Sequence, residues 1–115
     1  MQKNLERNFL ADFEKYQKAK GIFKEILMLV PESDKVLYYL GTLFQHTGEF
    51  EQALNYFAKI PDSSSLFIDA NVQSAQILHL LAKKGLEDGS EEWSQKLLSF
   101  IDSIVSSIEL LLSEV

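Results

Sequence analysis

Residues 38–57 read YYLGTLFQHTGEFEQALNYF, and the spacing of small and aromatic residues in this stretch decides the fold. Gly41 lies inside an apolar run with no turn residue beside it, where a glycine costs a helix about 1 kcal/mol relative to alanine. A glycine kept at that cost points to a place where a side chain would not fit. Gly48 has a different task. It follows Thr47 at the end of the apolar pattern, where a glycine can take the left-handed conformation that ends a helix.

Working outward, a shift of 34 residues lays Tyr16 on Phe50, Ala19 on Ala53, Phe23 on Phe57 and Ile26 on Ile60. A second shift lays Gly41 on Ala75 and Phe44 on Leu78, but Leu37 on Asn71 and Leu40 on Ser74, so the third copy is degenerate. Such a period marks an array whose units cannot bury their apolar faces alone and lean on their neighbours. Small residues at Ala19, Gly41, Ala53 and Ala75 are then expected to let helix backbones approach, with Phe44, Phe50 and Phe57 filling the space beside them.

Local punctuation sets the boundaries. Pro31 stops one helix, Ser33 or Asp34 caps the next, Pro61 follows another, and Ser63 to Ser65 offer further caps. KGLEDGS at 84–90 reads as a turn, with Gly89 in it, Ser90 as a cap, and Glu91 and Glu92 in the first turn that follows. These signals predict six helices, near 3–13, 15–29, 34–46, 50–60, 65–84 and 91–114, and no strand pattern competes.

Leu37, Leu40, Gly41 and Phe44, followed by Gly48, Phe50, Ala53 and Phe57, resemble the tetratricopeptide repeat, a 34-residue helix-turn-helix unit. The match is specific over residues 34–67. The preceding copy matches in its second half, through Tyr16, Ala19, Phe23 and Pro31. The third copy carries nine extra residues between its helices if Trp93 and Phe100 take the places of Phe50 and Phe57, which sets Lys96 where the small Ala53 stands. The resemblance implies an all-α fold, a short right-handed solenoid of about three helical hairpins ending in a long apolar helix. As domains it implies one unit over 1–115, with repeats at about 1–33, 34–67 and 68–115.

Composition narrows the function. The net charge is −6, but residues 1–85 carry ten acids and ten bases, so the excess falls on residues 86–115, with seven acids and only Lys96. Phosphate-backbone binding draws its affinity from lysine and arginine, so no nucleic-acid partner is expected. The run Lys15, Lys18, Lys20 and Lys24 reads as a solvated helix face paired with Glu14 and Glu25. No apolar run reaches membrane-spanning length, so no membrane insertion is expected. The first residues do not read as a secretory signal, which leaves localisation open: cytoplasmic by default, periplasmic if the chain is a fragment.

Chemistry is sparse. The two histidines, His46 and His79, read as exposed residues near helix ends rather than metal ligands, and EDGSEE lacks the alternating oxygens of a calcium loop. There is no phosphate loop, nucleophile elbow or HExxH pair, and Glu49 and Glu51 fall on turns expected to be wet. No catalysis, cofactor or metal is expected.

In the resembled family the first helices of the repeats line a groove that receives peptides. Carried over position by position, the partner-binding residues are Lys35, Tyr38, Thr42, Gln45 and His46 from the middle repeat. The third repeat supplies Asp69, Val72, Gln76 and His79, and the first adds Asn4 and Asn8. The family's clamp for acidic peptide termini is not reproduced, since Tyr39 and Gln73 replace two of its polar anchors. The resemblance implies a protein-interaction or scaffolding module that binds a peptide or partner protein; the alternative is a structural or self-associating segment of a longer array with no specific groove. In the last helix the apolar positions cover about 160° of the circumference, wider than the stripe of about 100° an ordinary surface helix buries. Leu98, Val105 and Leu112 are therefore expected to pack outside the repeat stack, with homodimerisation the first choice.

Overall fold

The computed structural model describes residues 2–113, with side chains described from Asp12 onward except Ile108 and Leu111. Asn4, Asn8 and Val115 lie outside the described side chains. Five helices follow one another: α1 (Gln2–Leu29), α2 (Asp34–His46), α3 (Phe50–Ala58), α4 (Phe67–Glu87) and α5 (Glu92–Ser113). No strand occurs among the described residues. The chain divides into two compact units, Met1–Asn71 and Val72–Val115.

Where two helices were expected between residues 3 and 29, one continuous α1 runs. Its middle, Asp12-Phe13-Glu14-Lys15, contains neither glycine nor proline. The repeat register suggested a break that the local chemistry does not supply.

The first unit is built on the 38–57 stretch. Ser33 caps α2, its hydroxyl accepting the Val36 N–H at 3.3 Å. At the other end the Gly48 N–H donates to the Gln45 carbonyl (3.1 Å) and the Glu49 N–H to the Phe44 carbonyl (2.9 Å). This is the paired closure of a Schellman turn, with Gly48 at φ +78°. Val36, Leu37, Leu40 and Phe44 from α2, Ala53 and Phe57 from α3, and Ile60 just beyond it are all buried. Gly41 is buried among them.

A Cβ built on Gly41 would stand 2.5–2.8 Å from three atoms of the Phe57 ring. The glycine is thus required by an aromatic ring lying against the α2 backbone, a different reason from the backbone approach expected. Tyr38 leans on the same ring, centroid to centroid 5.6 Å. A shared hydrogen bond fixes the entrance to this hairpin: the Ser64 hydroxyl donates to Asp34 Oδ2 and its oxygen accepts the Leu66 N–H (3.1 Å). The Ser64 bond holds the Asp34 carboxyl below its ordinary value.

Within the second unit, α4 ends in the same kind of turn. Gly89 (φ +81°) donates to the Leu86 carbonyl (3.1 Å) and the Ser90 N–H to the Gly85 carbonyl (2.7 Å). The Ser90 hydroxyl then accepts the Glu92 N–H at 3.4 Å as α5 begins, in line with the expected cap. Ser74, Ile77, Leu78 and Ala82 of α4 are buried. On α5, Trp93, Leu97, Phe100 and Ile104 form a half-buried row, and no described residue of this helix is fully buried.

Candidate functional site

Two sides of α2 separate cleanly. The buried residues lie on one side, while Lys35, Tyr38, Tyr39, Thr42, Gln45 and His46 occupy a contiguous arc of about 120° on the other. Lys35, Tyr39 and His46 are exposed; Tyr38, Thr42 and Gln45 are half-buried. The Thr42 hydroxyl donates to the Tyr38 carbonyl (3.0 Å), whereas the Gln45 side chain has no hydrogen bond among the described residues.

Helix α1 supplies the opposite wall. Tyr16 stacks on His46 with centroids 5.7 Å apart and planes 6° from parallel, and Phe23 meets Tyr39 at 5.5 Å. Asp12, Phe13, Tyr16, His46 and Thr47 line a shallow cavity of about 310 Å³. The arrangement offers aromatic faces and one imidazole around a recess that also carries the Asp12 carboxylate and the Thr47 hydroxyl. Such surfaces suit side-chain recognition, because aromatic rings supply rigid contact area at little entropic cost.

The sequence-derived residues are placed unevenly. Tyr38, expected at the surface, is half-buried against Phe57, and its neighbour Tyr39 is the outward tyrosine at 49% exposure. Phe13 and Tyr16 were not among the expected site residues. In the sequence Tyr16 stands out only as a repeat position, and nothing in spacing alone puts it opposite His46. On α4, Asp69, Val72, Gln76 and His79 are all exposed and lie within about 80° of arc on that helix.

One charged side chain behaves against expectation. Lys20 is 3% exposed rather than solvated, and its partner is Glu49, 29 residues away, rather than Glu14 or Glu25. Its ammonium also donates to Thr47 Oγ1 (2.7 Å) and lies 4.5 Å from the Phe44 ring centroid. Thr47 in turn donates to Glu49 Oε2 (2.6 Å). The bonds from Lys20 and Thr47 hold the Glu49 carboxyl below its ordinary range. Lys20 thereby places a cation beside the C-terminal turn of α2, where the helix dipole favours one, and ties that turn to α1 through Thr47 and Glu49. Its role is to hold the two walls together: two of its three N–H donors go to Thr47 and Glu49, and the ammonium lies over the Phe44 ring.

Among the described residues no group of three or more histidine, cysteine, aspartate or glutamate side chains could hold a metal ion, and no helix is long and apolar enough to cross a membrane. A family model described as tetratricopeptide repeat matches residues 10–83. Comparison with curated proteins finds no match, and neither does comparison with solved structures.

Proposed function

The chain belongs to the tetratricopeptide repeat family, whose repeats are generally protein–protein interaction modules, and from that premise we propose that it is a non-catalytic module that binds a peptide segment of a partner protein. The observation that carries the reading is the split character of α2: one side is core, and the other is an open arc of polar and aromatic residues facing Phe13 and Tyr16 of α1. An apolar or aromatic side chain of the bound peptide enters the recess beside His46, and Gln45, with an unused amide, meets the peptide backbone. Lys35, Tyr38, Thr42, Gln45 and His46 are the binding residues on this helix, joined by Tyr39. On α4, Asp69 in the first unit and Val72, Gln76 and His79 in the second are further candidate binding residues, each within its own unit.

The proposal is tested with peptides selected from a random display library against the immobilised protein. Tyr39→Ala and His46→Ala are each expected to raise the Kd of the selected peptides at least about tenfold, or 1.4 kcal/mol, with the helical circular dichroism at the assay temperature unchanged. Selected peptides that bind both variants as tightly as the original protein would refute it.

A further inference from the structure

Helix α5 carries two apolar rows. The half-buried one is described above; the other, Leu98, Ile101, Val105 and Leu112, is 44–69% exposed and recurs at steps of three, four and seven residues. That is the spacing of a helix seam built to meet another element. Asp102 and Glu109 flank Val105 on one edge, seven residues and about 10 Å apart, and both are exposed. The helix's one base, Lys96, is already bonded to Glu92 (3.2 Å) and lies over Trp93. The outer face of α5 is therefore apolar with an acidic edge.

A surface of the opposite charge lies in the first unit, away from the α2 arc. Between α1 and α3 a groove of about 460 Å³ is floored by Leu27 and Leu37 and walled by Met28 and Tyr56, with Lys24 and Lys59 at its rim. Met28 is 81% exposed. Neither lysine takes part in an ion pair among the described residues; each lies over an aromatic ring, Lys24 5.1 Å from the Phe44 centroid and Lys59 5.3 Å from that of Tyr56.

We infer that the lysine-rimmed groove between α1 and α3 receives the outer face of α5 from a second copy of the chain, with Asp102 and Glu109 set against Lys24 and Lys59. A symmetric contact of α5 with α5 is disfavoured, because an antiparallel pair sets Asp102 of each copy along the same edge as Glu109 of the other, with no free base between them. The groove instead gives the acids a partner of opposite sign and the apolar row a matching floor. Because donor and acceptor surfaces differ, the contact is heterologous, and each copy retains an unused surface for the next. One helix face in one groove falls at the small end of protein interfaces, below about 1,200 Å², so association belongs in the micromolar range.

The test is light scattering coupled to size exclusion over about 10 to 300 µM. The intact protein is expected to rise above monomer mass with concentration, and 0.5 M salt should reduce the rise. Val105→Glu, which spoils the helix face, and the double variant Lys24→Glu/Lys59→Glu, which spoils the groove, should each remain monomeric. Their equimolar mixture should form a complex of two chains and stop there, since each supplies the surface the other lacks. Circular dichroism and melting temperature confirm that both variants are folded, and Leu112→Gln serves as a second, milder change on the helix. The inference is overturned if the intact protein stays monomeric at 300 µM, if the double lysine variant still associates while Val105→Glu does not, or if the mixture remains monomeric.

Discussion

Replacing Gly41 by alanine sets two known effects against each other. Alanine is the better helix former by about 1 kcal/mol, so on propensity alone the change should stabilise α2. The new methyl, however, would lie 2.5–2.8 Å from Cε1, Cδ1 and Cζ of Phe57. Phe57 is 3% exposed and bears on Tyr38, so its ring cannot swing aside without moving a second aromatic. Overpacking of this kind costs about 1–3 kcal/mol, which leaves a net loss of about 1 kcal/mol after the propensity gain. For a chain of this size that lowers Tm by roughly 4–6 °C. Gly21 provides the control: it is exposed within α1, and a Cβ there meets nothing within 4 Å, so Gly21→Ala should stabilise by about 0.5–1 kcal/mol. Urea titrations read both, and Gly41→Leu should be worse than Gly41→Ala. Adding Phe57→Leu to Gly41→Ala makes room, so the double variant should lose at least about 1 kcal/mol less than the sum of the two single losses. Equal stabilisation by Gly21→Ala and Gly41→Ala would refute the assignment of Gly41 to a ring contact.

Gly48→Ala forces a positive φ on an alanine without creating a clash, and should cost about 1 kcal/mol through the backbone alone, read by the same titration. Glu49 has its folded pKa below the ordinary 4.5, so the stability it adds is present above that value and is lost as pH falls through the lower folded value. Glu49→Gln should therefore flatten the acid limb of the stability profile below pH 4.5. It should also cost about 1 kcal/mol at pH 7: the Lys20 ammonium is buried, but the Glu49 side chain is 41% exposed and solvent screens the pair. An unchanged acid limb would mean that the Lys20 pairing contributes nothing.

The residues that were legible in the sequence are those whose pattern and packing say the same thing. Gly41, Phe44, Ala53 and Phe57 stand at repeat positions and are all core, and Gly48 needs φ > 0 for a reason its neighbours already announce. The continuity of α1 was hidden because a repeat register carries no information about a missing turn; only the absence of a breaker around Phe13 does. Lys20 was misread because a lysine run looks alike whether its members face water or not. Its burial depends on Thr47 and Glu49, brought to it by the Gly48 turn nearly thirty residues along the chain. The choice between Tyr38 and Tyr39 turns on 100° of helix rotation, and either could have faced Phe57 on spacing alone. On α5, Leu98, Val105 and Leu112, part of an apolar pattern wider than one buried stripe, are exposed.

The central claim, that the open arc of α2 and its α1 wall form the binding surface, is tested most directly by following backbone amide NMR signals while a display-selected peptide is added. The account predicts shifts gathered on Tyr16, Tyr39, Thr42, Gln45 and His46, saturating together with a single Kd. Shifts confined to the face of Lys24, Asn55 and Lys59, with those five signals unmoved, would contradict it.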